Sequence, residues 1–216
     1  MNTKKILLAV STLTAALNSY SAENPVQVHY HNADIDGVNI FYREAGSPQA
    51  PTVLLLHGFA ASSYMFRELI PQLAEKYHVI APDLPGFGQT TVNPGIKFNY
   101  TFDNLAAVID AFTVAKQVDS YAVYVFDYGA PVGWRLAVKN PQKITAIVTQ
   151  NGNGYEEGLS AGWADMRKAW AEPTAENREA LRRFNTADMI KWQYTEGVKN
   201  TALIAQYKGT VAEERC

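Results

Sequence analysis

What most constrains this chain is a set of short, unbroken apolar runs at residues 52–56, 78–81, 121–126 and 144–149, separated by stretches with helical spacing. Continuous apolarity over so few residues suits a strand buried on both faces, as in a parallel sheet. Strands that alternate with helices imply such a sheet with right-handed crossovers. Between the runs, Phe66, Leu69, Ile70 and Leu73 share one side of a helix predicted over 64–76. Pro71 inside it predicts a kink or a break into two short helices. A second helix is predicted over 102–115, where Thr101 can cap and Phe102, Leu105, Ala106, Ile109 and Phe112 repeat at helical spacing. A third runs over 131–139, with Pro131 in the first turn, where a missing amide proton costs nothing. Ahead of all this, 26–35 and 38–43 read as extended runs joined by an Asp36-Gly37 hairpin turn. Residues 82–94, rich in proline and glycine, read as a loop.

Composition narrows the classes. With 47% hydrophobic residues and a net charge of −2 over 216 residues, the chain is too apolar and too evenly charged to be disordered. It has no basic stripe for nucleic acid. Its single cysteine permits no internal disulfide. No apolar run approaches the ~20 residues of a membrane span, so no stable membrane insertion is expected. Lys4 and Lys5, the apolar stretch 6–17 and the small residues Ser19, Ser21 and Ala22 have the order of a secretory signal peptide over residues 1–22. A secreted or periplasmic protein is therefore expected. After Asn151 the apolar runs cease. A helical stretch with Trp163, Trp170 and Trp192 follows, and residues 206–216 form a polar tail.

Ligands of open α/β sheets bind beyond the carboxyl ends of the strands. Three loops leave such ends: His57-Gly58-Phe59, Asp83-Leu84-Pro85-Gly86-Phe87-Gly88, and Asp127-Tyr128-Gly129. In the last, a polar residue stands between a buried strand and a helix, with small residues at Gly129, Ala130 and Gly133. A sharp strand-to-helix turn of this kind exposes its central side chain at the top of the sheet. The alternative is that Asp127 simply caps the following helix.

Together these loops resemble the α/β-hydrolase fold, and within it the haloalkane dehalogenase and epoxide hydrolase branch. The resemblance covers about residues 26–205 and implies a mostly parallel sheet flanked by helices, with a helical cap insertion. Residues 23–152 would be the N-terminal part of the core and 153–205 an incomplete cap. It implies that Asp127 is the nucleophile and that the backbone amides of Phe59 and Tyr128 form the oxyanion hole. A carboxylate is ionised at neutral pH and needs no base to attack an sp³ carbon. His57 occupies the place of a loop-steadying histidine. With Tyr155, Trp163 and Tyr194 it is placed around the substrate, although a structural hydrogen bond for each tyrosine and cap packing for the tryptophans are open alternatives. Tyr128 and Phe59 stand where dehalogenases generally carry Trp and Asn, whereas His-Gly-Phe fits epoxide hydrolases. The implied partners are a small apolar substrate and water. No cofactor and no metal is implied.

The same resemblance calls for a catalytic histidine after the last strand. The histidines here are His29, His31, His57 and His78, all before Asp127. The chain is therefore expected to be C-terminally truncated, to lack the last strands of the sheet, and to be inactive or impaired as a hydrolase. Competing expectations are a non-catalytic protein that binds or senses a small molecule, and a hydrolase of other, ester-like substrates.

Overall fold

The computed structural model describes residues 26–205. The expected signal at 1–22 and the polar tail at 206–216 lie outside the described residues. Strand β1 (His29–Ile35) turns into β2 (Val38–Ala45) through Asp36 and Gly37, both at positive φ. Two left-handed residues in succession match the twist of the hairpin, which is why Asp-Gly suits the position. The Gly37 amide also donates to Asp34 Oδ1 at 3.0 Å.

Next come β3 (Thr52–Leu56), a 3₁₀ turn at Ser63–Phe66, α1 (Leu69–Ala74) and β4 (His78–Pro82). The expected interruption of the 64–76 helix falls at Arg67 and Glu68. Pro71 then sits in the first turn of α1, where its missing amide costs no intrahelical bond. The loop expected over 82–94 contains a short strand, β5 (Thr91–Val92), paired with β2. Its cause is local: Thr90 Oγ1 accepts from the Phe41 amide at 3.0 Å and donates to the Asp83 carbonyl at 2.7 Å, laying the chain along β2. Helix α2 (Phe102–Ala115), β6 (Tyr121–Phe126), α3 (Gly129–Lys139) and β7 (Ile144–Gln150) complete the alternating part. Helices α4 (Ala164–Ala171), α5 (Ala175–Ala180), α6 (Ala187–Thr195) and α7 (Ala202–Ala205) follow.

The sheet runs in the order β1-β2-β4-β3-β6-β7, parallel from β4 onward and antiparallel at β1 and β2. Alternate residues fill its two faces. Leu54, Leu56, Ile80, Val123 and Val125 pack with Leu105, Ile109 and Phe112 of α2 and Leu136 of α3. Leu55, Val79 and Ala81 pack with Phe66 and with Ile70 and Ala74 of α1. Burying each large side chain there contributes about 2 kcal/mol. Strand β7 is the edge of the described sheet, and Ile147 and Val148 on it are exposed. Among the described residues, no helix is long and apolar enough to cross a membrane.

Candidate active site

The strand order places the site. From β3 the chain crosses to β4 on one side, and from β6 it crosses to β7 on the other, while β3 and β6 are themselves neighbours. The crevice between two such strands is where an open α/β sheet takes its ligand. The residues at its rim are Phe59, beyond the end of β3, and Asp127, beyond the end of β6.

Asp127 has φ +47°, in the left-handed region. For a non-glycine residue this costs about 1–2 kcal/mol, and such strain gathers at functional sites. The neighbours make the turn sterically feasible. A Cβ on Gly58 would lie 2.7 Å from Asp127 Cβ and 2.8 Å from Phe126 Cδ1, and one on Gly129 would strike the Leu56 carbonyl oxygen. Only hydrogen atoms fit at those two positions.

The Asp127 carboxylate accepts from no amide within α3 itself, whose N-cap position is Tyr128. Instead, the amides of Phe59 and Tyr128 both donate to Asp127 Oδ1, each at 2.7 Å. Oδ2 accepts no hydrogen bond from the described residues. One oxygen is thus held by two converging donors, and the other by none among the described residues. Around them stands an aromatic wall: the Tyr128 ring lies 5.3 Å from that of Phe59, 6.0 Å from Phe87 and 5.0 Å from Phe102. Burial, and then the nearby Asp127 charge, push the Tyr128 phenol above its ordinary pKa, so it keeps its proton at neutral pH.

His57 lies beneath this wall, with no exposed surface and its ring 5.4 Å from that of Phe87. Its Nε2 accepts from the Leu84 amide at 2.9 Å, which leaves Nδ1–H to donate to the Gly58 carbonyl at 2.8 Å. Both nitrogens are therefore committed to tying the loop after β3 to the loop after β4. Burial holds the imidazole pKa below its usual range.

A second network, which sequence reasoning missed, fixes the loop after β4. Asp83 Oδ1 accepts from the Ser63 amide at 2.7 Å and its hydroxyl at 2.6 Å, and Oδ2 accepts from the Gln89 amide at 2.8 Å. Arg43, also buried, donates to Ser63 Oγ and pairs with Asp83 at 3.9 Å. An arginine directly after the apolar run Ile40-Phe41-Tyr42 was the available sequence signal. Phe102 has the spacing of a helix-core residue, and nothing in its sequence pattern marks it for the ring contact with Tyr128.

The remaining expected residues are scattered. Tyr194 reaches back from α6, and its hydroxyl donates to the Ala60 carbonyl at 2.7 Å. Trp163 packs on Trp170, with ring centroids 6.0 Å apart. Tyr155 is 81% exposed, and its carbonyl accepts from Asn153 Nδ2. The structure brings Asp127, Phe59, Tyr128 and His57 together, whereas the interactions of Tyr155 and Trp163 are with Asn153 and Trp170.

A depression of about 660 Å³ lies at the opposite end of the sheet, lined by Glu44, Thr52, His78, Lys116 and Thr145 among others. It opens at the amino ends of the parallel strands, away from the switch point, and three of its charged or titratable groups are paired with one another. Glu44 accepts from His78 Nε2 at 2.7 Å and from Lys116 Nζ at 3.4 Å. Among the described residues no group of three His, Cys, Asp or Glu side chains could hold a metal ion.

Comparison with known proteins agrees with the fold. The family described as the alpha/beta hydrolase fold matches residues 51–191. The chain belongs to the α/β-hydrolase fold family. It is 52% identical over 143 residues to an uncharacterized hydrolase of Saccharomyces cerevisiae, covering 65% of this chain and 49% of that protein. It is 34% identical over 123 residues to a haloalkane dehalogenase of Bradyrhizobium diazoefficiens, covering 57% of this chain and 39% of the relative. A Pseudomonas aeruginosa mutant structure, described provisionally as an epoxide hydrolase, superposes with a TM-score of 0.69. That match has 21% identity, covers 88% of this chain and 68% of the other, and speaks for the fold alone. This α/β hydrolase spans about half the length, or less, of these two curated relatives.

Proposed function

We propose that Asp127 is a nucleophile acting on an sp³ carbon of a small apolar substrate, an alkyl halide or an epoxide. The observation that carries this reading is the convergence of two amides on Oδ1 with Oδ2 left open. The Oδ2 lone pair forms the new C–O bond as the carbon–halogen or carbon–oxygen bond breaks. The halide leaves as an anion, or the opened epoxide oxygen takes a proton from water, leaving hydroxide in solution. Oδ1 then becomes the carbonyl oxygen of the alkyl-enzyme ester. Water attacking that carbonyl would place negative charge on Oδ1, where the Phe59 and Tyr128 amides already point. Donors preorganised for developing charge are worth about 3 kcal/mol each. The aromatic wall suits an apolar substrate.

The second half-reaction needs a base to activate water. In this polypeptide no histidine follows Asp127, and His57 has both nitrogens engaged. The expected behaviour of residues 1–216 is ester formation with little or no release. Incubation with a brominated alkane or an epoxide, followed by intact-mass measurement, tests this. The purified chain is expected to gain one alkyl group, and Asp127→Asn to gain none. Asn also tolerates the left-handed turn, so that variant should keep the fold. An adduct that persists in Asp127→Asn would sink the assignment. Multiple turnovers by the unmodified chain would refute the missing-base part alone.

A further inference from the structure

Tyr194 is 134 residues from Ala60 in sequence, yet its hydroxyl donates to the Ala60 carbonyl at 2.7 Å. This hydrogen bond ties α6 to the loop that follows β3. It lands where support is needed. Ala60 has φ +54°, a left-handed conformation that an alanine holds only when its surroundings impose it. The residue before it is Phe59, whose amide lies on Asp127 Oδ1. Releasing the Ala60 carbonyl allows residue 60 to relax toward negative φ, and the rotation begins one residue from the donor.

We propose that Tyr194 is a positioning residue: by holding the Ala60 carbonyl it keeps the Phe59 amide on Asp127 Oδ1, so that attack by Asp127 depends on α6 being seated. The inference rests on the reading of Asp127 as nucleophile. A phenol whose proton is directed at a backbone carbonyl cannot at the same moment protonate a leaving oxygen. Its effect on the reaction therefore runs through the loop, not through the substrate.

The test compares Tyr194→Phe with the unchanged 216-residue chain by two measurements. One is the rate of adduct formation with a bromoalkane and, separately, with an epoxide. The other is hydrogen exchange at the Phe59 amide, followed by NMR. The expected result is a slowing of about tenfold with both electrophiles, as for a modest misplacement of a reacting group. Phe59 exchange should rise by about tenfold, as for a local opening. A purely structural role would lower the denaturation midpoint without singling out Phe59. Unchanged exchange and unchanged rates would overturn the proposal. So would a loss confined to the epoxide, which would assign the phenol to the leaving oxygen.

If Tyr194→Phe folds poorly, Ala60→Gly is added to it, because glycine adopts positive φ at no steric cost. Recovery of Phe59 protection in the double variant supports the proposal, and no recovery counts against it. Should the unchanged chain form no adduct with either electrophile, the nucleophile reading fails, while Phe59 exchange still decides the role of Tyr194.

Discussion

Helices α2 and α6 begin alike. Thr101 accepts from the Asn104 amide at 3.3 Å, and Thr186 accepts from the Met189 amide at 3.3 Å. Each carries an aspartate in its first turn. Beyond that turn they part. Helix α2 buries Leu105, Ala106, Ile109 and Phe112 against the sheet, whereas α6 buries Ile190 alone. Caps and periodicity make both segments helical, but burial fastens only one. The contrast extends to their regions. Leu55, Leu56, Val123 and Val125 at the centre of the sheet have no exposed surface, while Trp170 and Trp192 of the helical segment are 58% and 54% exposed. The Asp127 turn stands on the well-buried region, and the loosely buried region is hydrogen-bonded to the neighbouring loop through Tyr194.

The largest effect expected from this contrast compares two glycines. In Gly129→Ala the new methyl meets the Leu56 carbonyl, a backbone atom that cannot give way without moving β3. The expected loss is about 3 kcal/mol, read as a lower denaturant midpoint. Adduct formation should be lost too, because Gly129 sets the elbow that presents Asp127. In Gly162→Ala the nearest atom to the new methyl is Ser160 Oγ at 3.5 Å, an ordinary contact. There the expected change is at most about 1 kcal/mol in the stabilising direction, since alanine loses less entropy on folding. Equal losses at both positions would break the distinction between the regions.

Much of the well-buried region was legible in the sequence because its periods are undisturbed by function. Residues 52–56, 121–126 and 102–115 fall where the apolar runs and Thr101 place them. The elbow was legible because few local structures other than a sharp strand-to-helix turn call for a polar residue followed by small ones at that point. What stayed hidden depends on partners far apart in the chain. The Arg43–Ser63–Asp83 network joins three elements, and no local pattern announces it. Thr91–Val92 became a strand because Thr90 is held by residues on β2 and just after β4, not because of its own propensity. In the helical segment the aromatic residues carried little positional information. Trp163 found Trp170, Tyr155 faces solvent, and Tyr194 is committed to a backbone carbonyl.

A middling effect comes from pH and separates the regions by titration. Burial depresses the folded-state pKa of His57, so the unfolded chain binds the proton more readily. Its contribution to stability is complete above the unfolded value of about 6.5 and is lost as pH falls below it. The slope for one such proton is at most about 1.4 kcal/mol per pH unit. The structural reason is that a protonated Nε2 can no longer accept from the Leu84 amide. Denaturant midpoints measured from pH 7 to 5 should fall for the unchanged chain, and His57→Gln should remove most of that slope. Residues 160–205 contain no histidine. Opening free energies there, from amide exchange corrected for its intrinsic pH dependence, should stay flat across the same window. At lower pH Glu44, whose pKa is held down chiefly by the His78 hydrogen bond, adds its own loss below about pH 4.3.

The smallest effect returns to the two caps. Thr101→Ala and Thr186→Ala each remove one accepted amide hydrogen bond of the same length, so the intrinsic cost of each is about 1 kcal/mol. Where that cost appears should differ. Helix α2 is buried against the sheet and unfolds with it, so Thr101→Ala should lower the global denaturant midpoint by the full amount. Helix α6 can open while the sheet stays intact, so Thr186→Ala should leave the global midpoint nearly unchanged and raise amide exchange within residues 187–195 by about fivefold. Because Tyr194 lies in that last turn, exchange at Phe59 should rise in step with exchange in α6, though by less. A global loss of equal size from Thr186→Ala would mean that α6 unfolds with the sheet. Tyr194 would then be one of several fastenings between the regions, not the one on which the Phe59 amide depends.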